Sequence, residues 1–212
     1  MARRRTYRVV GLVVAVLLVA GAVTAYVVLK PSAAEAAGCG PVRTVPHYNP
    51  ENEDRSHIGT PSSPVPTPPP LSSYSSVPPA SGPHDPTPEP AGVYTDPPPI
   101  YRTIHSLEHA SVIIWYRPGT TSTALADIQT FYRQSANQDH VIVAPYNYAA
   151  QGTAGSLPTG TQMALVAWHH MELCKKLSLA AARGFVNSYR IPTGQSAPPG
   201  YKGDAPEIGS PI

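Results

Sequence analysis

The longest hydrophobic pattern in the chain is an uncharged, mostly apolar run at residues 9–29. A helix over these 21 positions spans about 31 Å, which is the thickness of a bilayer hydrocarbon core. Three arginines, Arg3 to Arg5, precede the run, and basic residues of this kind stay on the cytoplasmic side. The pattern predicts a single-pass plasma-membrane anchor, with residues 1–8 cytoplasmic and the C-terminal domain extracytoplasmic.

Two alternative interpretations of residues 9–29, a cleaved signal peptide and a lipoprotein signal, also match parts of the sequence. Small residues at positions 33–37 are typical of a signal-peptide cleavage site, but the apolar core of signal peptides is only about 7 to 15 residues long. Lipidation at Cys39 is the third alternative, although a nine-residue gap separates this cysteine from the apolar run. The length of the run favours an uncleaved anchor.

After residue 100, short runs of β-branched and aromatic residues predict buried strands. The three predicted strands cover residues 111–117, 141–144 and 163–168. A helical pattern between the first two indicates a right-handed crossover that joins parallel strands. The expected fold is therefore a small α/β or α+β domain with about three central strands and two helices.

Both predicted helices begin at a hydroxyl residue. Ser122 or Thr123 caps the first, in which Leu125, Ile128 and Phe131 or Tyr132 lie on one face. Ser178 starts the second, and its expected inward face consists of Leu179, Ala182, Val186 and Tyr189.

Proline dominates the first half of the outer region. Residues 31–100 hold 19 of the 27 prolines, a spacing that excludes regular helix and central strand. Leu71, Tyr74 and other apolar residues recur in the later part, so we expect it to pack on the core as ordered coil. The predicted organisation is a juxtamembrane segment at 30–56 and a domain at 57–212, divided into a proline-rich wrap at 57–100, a globular core at 101–192 and a tail at 193–212.

Charge excludes one class of partner. The formal net charge of the chain is +2, but residues 31–212 carry ten basic against thirteen acidic residues. A nucleic-acid surface needs clustered Lys and Arg, and this weakly acidic region has none in its sequence. The predicted partners are the membrane itself and an unidentified cell-envelope protein or wall component.

The two cysteines, Cys39 and Cys174, fall on the predicted outer side, where thiols are oxidised. A disulfide between them is the expected pairing. A thiolate metal site or redox pair is the alternative, but the sequence contains no CxxC spacing.

The densest chemical pattern is His105-Ser106-Leu107-Glu108-His109. Two histidines four residues apart meet on one face of a helical turn and make a two-point ligand for zinc or copper. The spelling H-x-x-E-H is also that of inverted zinc peptidases, in which the glutamate is the general base. Those enzymes carry the motif inside a long helix and need a further acidic ligand, so Glu108 is only a secondary catalytic candidate.

Other histidines could complete a metal site. His84 lies on a stiff turn after Gly82 and Pro83 and is the third predicted ligand. His169, His170 and Met171 are additional candidates; alternation along a strand would place His169 and Met171 on one side, and a thioether favours copper. A purely structural network, in which the histidines satisfy carbonyls or pair with Glu108, is an equal alternative.

Several of these motifs together resemble the bacterial family labelled domain of unknown function 3105. They are the PPASGPH stretch at 78–84, GVY at 92–94, HSLEH at 105–109 followed by the strand to Pro118, the GCG around Cys39, and APE at 205–207, the last two as in actinobacterial members. The resemblance implies an anchored or secreted domain with no assigned activity, in which the proline-rich half is part of the fold. The chain departs from the pattern at Ala110, where the family has glycine and where a methyl group disfavours a left-handed turn.

The leading hypothesis is a non-enzymatic outer-face domain that binds copper or zinc through His84, His105 and His109. The second is an envelope interaction module in which the same histidines only brace the fold. Metal-dependent hydrolysis with Glu108 as base is the third.

Overall fold

The computed structural model describes Val16, Leu17, Val19 and residues 31–212. The predicted anchor at residues 9–29 lies outside this part of the chain except at those three positions. Within the described part, no helix is long and apolar enough to cross a bilayer. The membrane anchor therefore stays a prediction. Residues Ala33–Ile212 form a compact unit, and all the helices and strands named below belong to it.

The unit is built on one mixed sheet of six strands. Their order across the sheet is β1-β6-β5-β3-β4-β2, with β2, β3 and β4 parallel and the other pairs antiparallel. The strands are β1 Arg43–Thr44, β2 Gly92–Val93, β3 Val112–Tyr116, β4 Val141–Pro145, β5 Met163–Ala167 and β6 His170–Cys174.

The three strands predicted from sequence are confirmed as β3, β4 and β5, and every residue in them is buried. The parallel pairing of β3 with β4 is also confirmed. The expected number of strands was wrong, because β6 and the two-residue edge strands were missed. Edge strands of that length bury little apolar area and leave almost no periodic pattern in a sequence.

Five helices of the described part surround the sheet: α1 Ala33–Ala36, α2 Ile100–Glu108, α3 Thr123–Tyr132, α4 Ser135–Gln138 and α5 Leu179–Tyr189. The predicted caps are confirmed, since the Ser122 and Ser178 side chains accept hydrogen bonds from the first turns of α3 and α5. The expected number of two helices was wrong, because α1, α2 and α4 were missed. Of these, α2 begins directly after Pro97 to Pro99 and carries the candidate site.

The two faces of the sheet are covered by different kinds of chain. Val112, Ile114 and Tyr116 point to the face on which α3 and α5 pack. Ile113 and Trp115 point to the other face, where α2 and the proline-rich segment at residues 31–100 supply the opposing apolar side chains. The buried residues of that segment include Val45, Tyr48, Leu71, Tyr74 and Ala80. Proline-rich coil therefore takes the place of a helical layer on the face that holds the candidate site.

A tight turn separates β5 from β6, so His169, His170 and Met171 do not lie on one strand as predicted. Ala167 pairs with His170, so residues 168 and 169 form the turn, and His169 has a left-handed φ of 55°. The predicted alternation of residues 169–171 along one strand is therefore wrong. Met171 is fully buried in β6, and its sulfur accepts a hydrogen bond from Arg43 at 3.1 Å.

The disulfide between Cys39 and Cys174 is confirmed, and its two cysteines are 135 positions apart in the chain. It joins the segment after α1 to the last residue of β6. Backbone hydrogen bonds from Gly40 to Leu173 and from Lys176 to Ala37 flank it on the same edge. The thiolate alternative does not hold, because both sulfurs are oxidised.

Ala110 adopts the left-handed turn that its methyl group disfavours, with a φ of 65°. The turn is held by its hydrogen bonds, because Ala110 donates to Leu107 and accepts from Ile191. Glycine would remove about 1 kcal/mol of backbone strain but would lose a buried methyl worth about 0.8 kcal/mol. We therefore expect Ala110→Gly to leave the free energy of unfolding within about 1 kcal/mol of wild type, and Ala110→Val to lower it by about 2 kcal/mol or more. Urea denaturation of both variants checks this, and a valine variant as stable as wild type would contradict it.

Candidate metal centre

The candidate centre is built on the last turn of α2. His105, Glu108 and His109 are three and four residues apart, so one side of the helix presents all three. The helix ends at Glu108 with His109 as its C-cap, and Ala110 then reverses the chain into β3. The H-x-x-E-H motif thus closes a nine-residue helix, unlike the long helix that the peptidase interpretation requires.

His105 and His109 face each other through their Nε2 atoms, which lie 3.0 Å apart. The Nδ1 atom of each ring donates to a backbone carbonyl, that of Asp85 at 2.7 Å and that of Pro211 at 2.8 Å. A carbonyl can only accept, so both Nδ1 atoms carry the proton. In the neutral rings the lone pair is then on Nε2, and the two lone pairs converge on one point.

The proline-rich segment brings His84 to the same place. Gly82 has a φ of 117°, and a Cβ there would lie 2.7 Å from the Tyr74 ring, so this turn requires glycine. It lets His84 Nδ1 donate to the Gly82 carbonyl at 2.8 Å. His84 Nε2 then lies 2.9 Å from Glu108 Oε2, an ion pair when the ring is protonated, and within the described part of the chain neither buried atom has another hydrogen-bond partner.

Arg55 orients the carboxylates of Glu108 and Glu207 by donating a hydrogen bond to one oxygen of each. Its Nε donates to Glu108 Oε1, and its Nη2 donates to Glu207 Oε1 at 3.0 Å. The second oxygens remain directed at histidines: Glu108 Oε2 at His84, and Glu207 Oε2 at His109, 3.2 Å from its Nε2. The Arg55 guanidinium therefore binds Oε1 of both glutamates. Oε2 of each glutamate remains directed at a histidine of the centre.

A fourth histidine, His57, lies on the solvent side of the cluster. Its backbone pairs with that of His84, and its ring stacks on His105 at a centroid distance of 4.8 Å. His57 Nε2 is 3.9 Å from Glu108 Oε2. The candidate ligands form two overlapping groups that share His105, one with His57, His84 and Glu108, the other with His109 and Glu207.

The electrostatics of the centre favour neutral imidazole beside an ionised carboxylate. Burial, to which the neighbouring His84 and His109 add, lowers the pKa of His105 to about 4. Burial also lowers the pKa of His57. Burial by itself would raise the pKa of Glu108, but His84 and Arg55 outweigh it and hold that pKa at about 2. At neutral pH, His105 is therefore ready to coordinate a cation without first losing a proton.

These distances suit a small metal ion. Ligands bound tetrahedrally at about 2.0 to 2.1 Å are separated from one another by about 3.3 Å. The 3.0 Å separation of His105 Nε2 from His109 Nε2 and the 2.9 Å separation of His84 Nε2 from Glu108 Oε2 are close to that value. Metal-binding histidines also typically donate their other nitrogen to a carbonyl or carboxylate, as all three rings do here.

The additional candidates from the sequence lie elsewhere. His169 groups with His47 and Asp54, where its Nε2 is 2.8 Å from Asp54 Oδ2. His170 Nε2 lies 3.3 Å from Asp204, and the Met171 sulfur is occupied by Arg43. Of the predicted ligands, the structure brings together His84, His105 and His109, with His105 between the other two.

Sequence reasoning missed three residues of the centre: Arg55, His57 and Glu207. Arg55 contacts Glu108 across 53 positions and Glu207 across 152 positions of the chain. Contacts over such separations leave no local spacing to detect. The carbonyls of Asp85 and Pro211 are equally invisible, because any residue can supply them.

The fold and the centre define a mixed α/β domain with a buried cluster of histidine and glutamate side chains. Residues 71–202 match the family described as "Protein of unknown function (DUF3105)". The chain belongs to this family. The matched stretch includes His84, His105, Glu108 and His109, whereas His57 and Glu207 lie outside it. Neither the curated proteins nor the solved structures contain a match to this chain.

Proposed function

We propose that this domain binds one divalent transition metal ion, zinc(II) or copper(II), at the cluster centred on His105. The observation that carries the proposal is the orientation of the side chains. Each of the three histidines donates Nδ1 to a backbone carbonyl, and both glutamates give Oε1 to Arg55. What remains is two groups of converging Nε2 and Oε2 atoms that share His105, and preorganised metal ligands are held in this way.

The chemistry of the donors supports zinc(II) or copper(II) over copper(I). The set consists of imidazole nitrogens and carboxylate oxygens, which suit divalent ions, whereas copper(I) is selected by thiolate and thioether sulfur. Met171, the predicted thioether ligand, is fully buried, and its sulfur already accepts a hydrogen bond from Arg43. Cys39 and Cys174 are joined to each other.

We also propose that the domain is displayed on the outer face of an actinobacterial-type plasma membrane by the run at residues 9–29. The uncharged length of that run and the arginines before it support this topology. The disulfide supports an oxidising compartment, where such bonds persist. Labelling of Cys39 and Cys174 on intact cells, after reduction by a membrane-impermeant reductant, tests the topology; labelling only after lysis would contradict it.

The test of metal binding is isothermal titration of the full-length, tag-free chain with zinc(II) and copper(II). We expect near-stoichiometric binding by wild type and a loss of affinity on the order of 100-fold in His105→Gln, because His105 belongs to both ligand groups. Thermal unfolding gives a second readout, since a ligand at 100 times its Kd stabilises the folded state by about 2.7 kcal/mol.

His47→Gln is the matched control, because it removes an imidazole from the separate group with Asp54 and His169. It should keep the wild-type affinity. If wild type binds no metal and His105→Gln only lowers the unfolding temperature, the cluster is a structural network. The function would then be the second candidate, an envelope interaction module, which is supported by the way His105 and His109 tie the end of α2 to residues 85 and 211.

Hydrolytic chemistry receives less support from the geometry. A general base works best with a pKa near the operating pH, whereas Glu108 has a pKa of about 2 and gives one oxygen to Arg55. Glu108 is therefore suited to be a ligand or a fixed negative charge. Unchanged hydrolysis in Glu108→Gln, should any substrate be turned over, would exclude it as a base.

A further inference from the structure

The last nine residues of the chain, 204–212, lie against the candidate centre and are called here the C-terminal strap. None of them is buried, and they include no helix or strand. Polar contacts with histidines hold much of the strap. His140 Nε2 donates to the Ser210 carbonyl and His109 Nδ1 to the Pro211 carbonyl, each at 2.8 Å, while Asp204 lies 3.5 Å from His169 Nδ1. Ala205 packs on the core, but a segment that is unburied and held mainly by polar contacts opens at a small cost in free energy.

Glu207 is the strap residue that reaches the centre. Its backbone N–H donates to the Glu108 carbonyl at 3.1 Å, which fixes its position beside the end of α2. Arg55 binds Oε1, and Oε2 points at His109 Nε2 from 3.2 Å. The ligand atoms of Glu207, His105 and His109 all lie within 4.8 Å of one another. The strap thus supplies a candidate ligand and, through Pro211, the carbonyl that orients His109.

We infer that Glu207 is the strap's ligand to the metal, so that metal binding holds the strap closed over the centre. The inference rests on the proposed metal binding. Its physical basis is thermodynamic linkage. If the Glu207 side chain can reach the metal only when the strap is docked, the metal binds more tightly to the protein with the strap docked than to the protein with the strap open. The metal must then favour strap docking by the same factor by which docking favours the metal.

The reciprocal effects distinguish this arrangement from a strap that merely covers the site. In Glu207→Gln, zinc(II) affinity should fall on the order of 10- to 100-fold, since the amide oxygen is a poorer ligand and the contact with Arg55 is weakened. In wild type, saturating zinc(II) should slow hydrogen exchange of the strap amides, including that of Glu207, by on the order of 10-fold or more. In Glu207→Gln at zinc saturation, that slowing should be lost.

Asp204→Asn is the control on the same strap. Asp204 contacts His169 and His170, which lie outside the two ligand groups of the centre. This variant should exchange faster without metal, yet zinc(II) should still slow its strap amides. Equal loss of the zinc effect in both variants would overturn the assignment of Glu207 as the ligand.

The experiment is hydrogen-exchange mass spectrometry of the full-length chain with and without zinc(II), beside a zinc titration of each variant. If wild type binds zinc(II) while its strap exchange is unchanged and Glu207→Gln binds as tightly, the inference is overturned and the proposed metal site stands. If wild type does not bind zinc(II) or copper(II) in the titration, both fall, and that result is seen before any exchange is measured.

Discussion

Replacing both Cys39 and Cys174 by alanine is expected to lower the free energy of unfolding by about 5 kcal/mol. The bond closes a loop of 135 residues, and cross-linking ends so far apart removes much of the conformational entropy of the unfolded chain. Domains of this size are stabilised by only about 5 to 15 kcal/mol in total, so the loss is a large share. Alanine is the suitable replacement because Cys174 is 1% exposed, where the hydroxyl of serine would be buried.

Urea denaturation of the double variant, beside wild type with and without reductant, measures this effect. Reduced wild type should unfold at the same urea concentration as the oxidation-proof variant, because both lack the same bond. Each single variant should match the double variant. A double variant within about 1 kcal/mol of oxidised wild type would show that the flanking hydrogen bonds from Gly40 and Lys176 alone hold this edge.

The parts of the fold that could be predicted are those whose apolar pattern is local. β3, β4 and β5 are buried along their whole length, and such strands are continuous apolar runs in the sequence. β6 has the mixed sequence HMELC and starts after a turn whose His169 has a positive φ, which no periodicity marks. α2 was hidden because it follows three prolines and buries polar residues such as Thr103, His105 and Ser106.

The same distinction applies to the centre. The four-residue spacing of His105 and His109 is a local feature, and it correctly indicated that the two rings meet. His84 could be proposed from its turn, but its approach to Glu108 depends on how the proline-rich segment packs on the sheet. Arg55 and Glu207 come from opposite ends of the compact unit. Their contact results from chain closure, which neither propensity nor spacing encodes.

Asp54 provides the second large prediction, because its buried carboxylate joins four segments of the chain. The group is 3% exposed, and Oδ1 accepts from the Tyr48 N–H and the Ser81 hydroxyl at 2.6 and 2.7 Å. Oδ2 is bound by His169 Nε2 at 2.8 Å and by His47 Nδ1 at 3.1 Å. Removing one member of such a buried charged network costs about 3 to 5 kcal/mol, so we expect Asp54→Ala to be destabilised by that amount.

The pH dependence of this loss identifies its cause. Burial would raise the pKa of Asp54, but His169 together with the donors from Tyr48 and Ser81 lowers it to about 2 from an ordinary 3.8. A lowered pKa stabilises the fold above the ordinary value, and that contribution disappears as the pH falls towards 2. His169 behaves oppositely: burial would lower its pKa, yet Asp54 raises it above 6.5, so its contribution is complete below that value and disappears at higher pH.

The stability difference between wild type and Asp54→Asn should therefore be largest between about pH 4 and pH 6.5 and shrink on both sides. Between neutral pH and about pH 2, protonation of Asp54 alone should reduce this stability difference by about 2 kcal/mol, which is the free-energy equivalent of its lowered pKa. Urea denaturation from pH 2 to pH 8 measures it, with Asp127→Asn on the exposed side of α3 as the control, expected within about 0.5 kcal/mol of wild type throughout. A difference that stays constant with pH would mean that Asp54 acts through shape and hydrogen bonding, without a contribution from its charge.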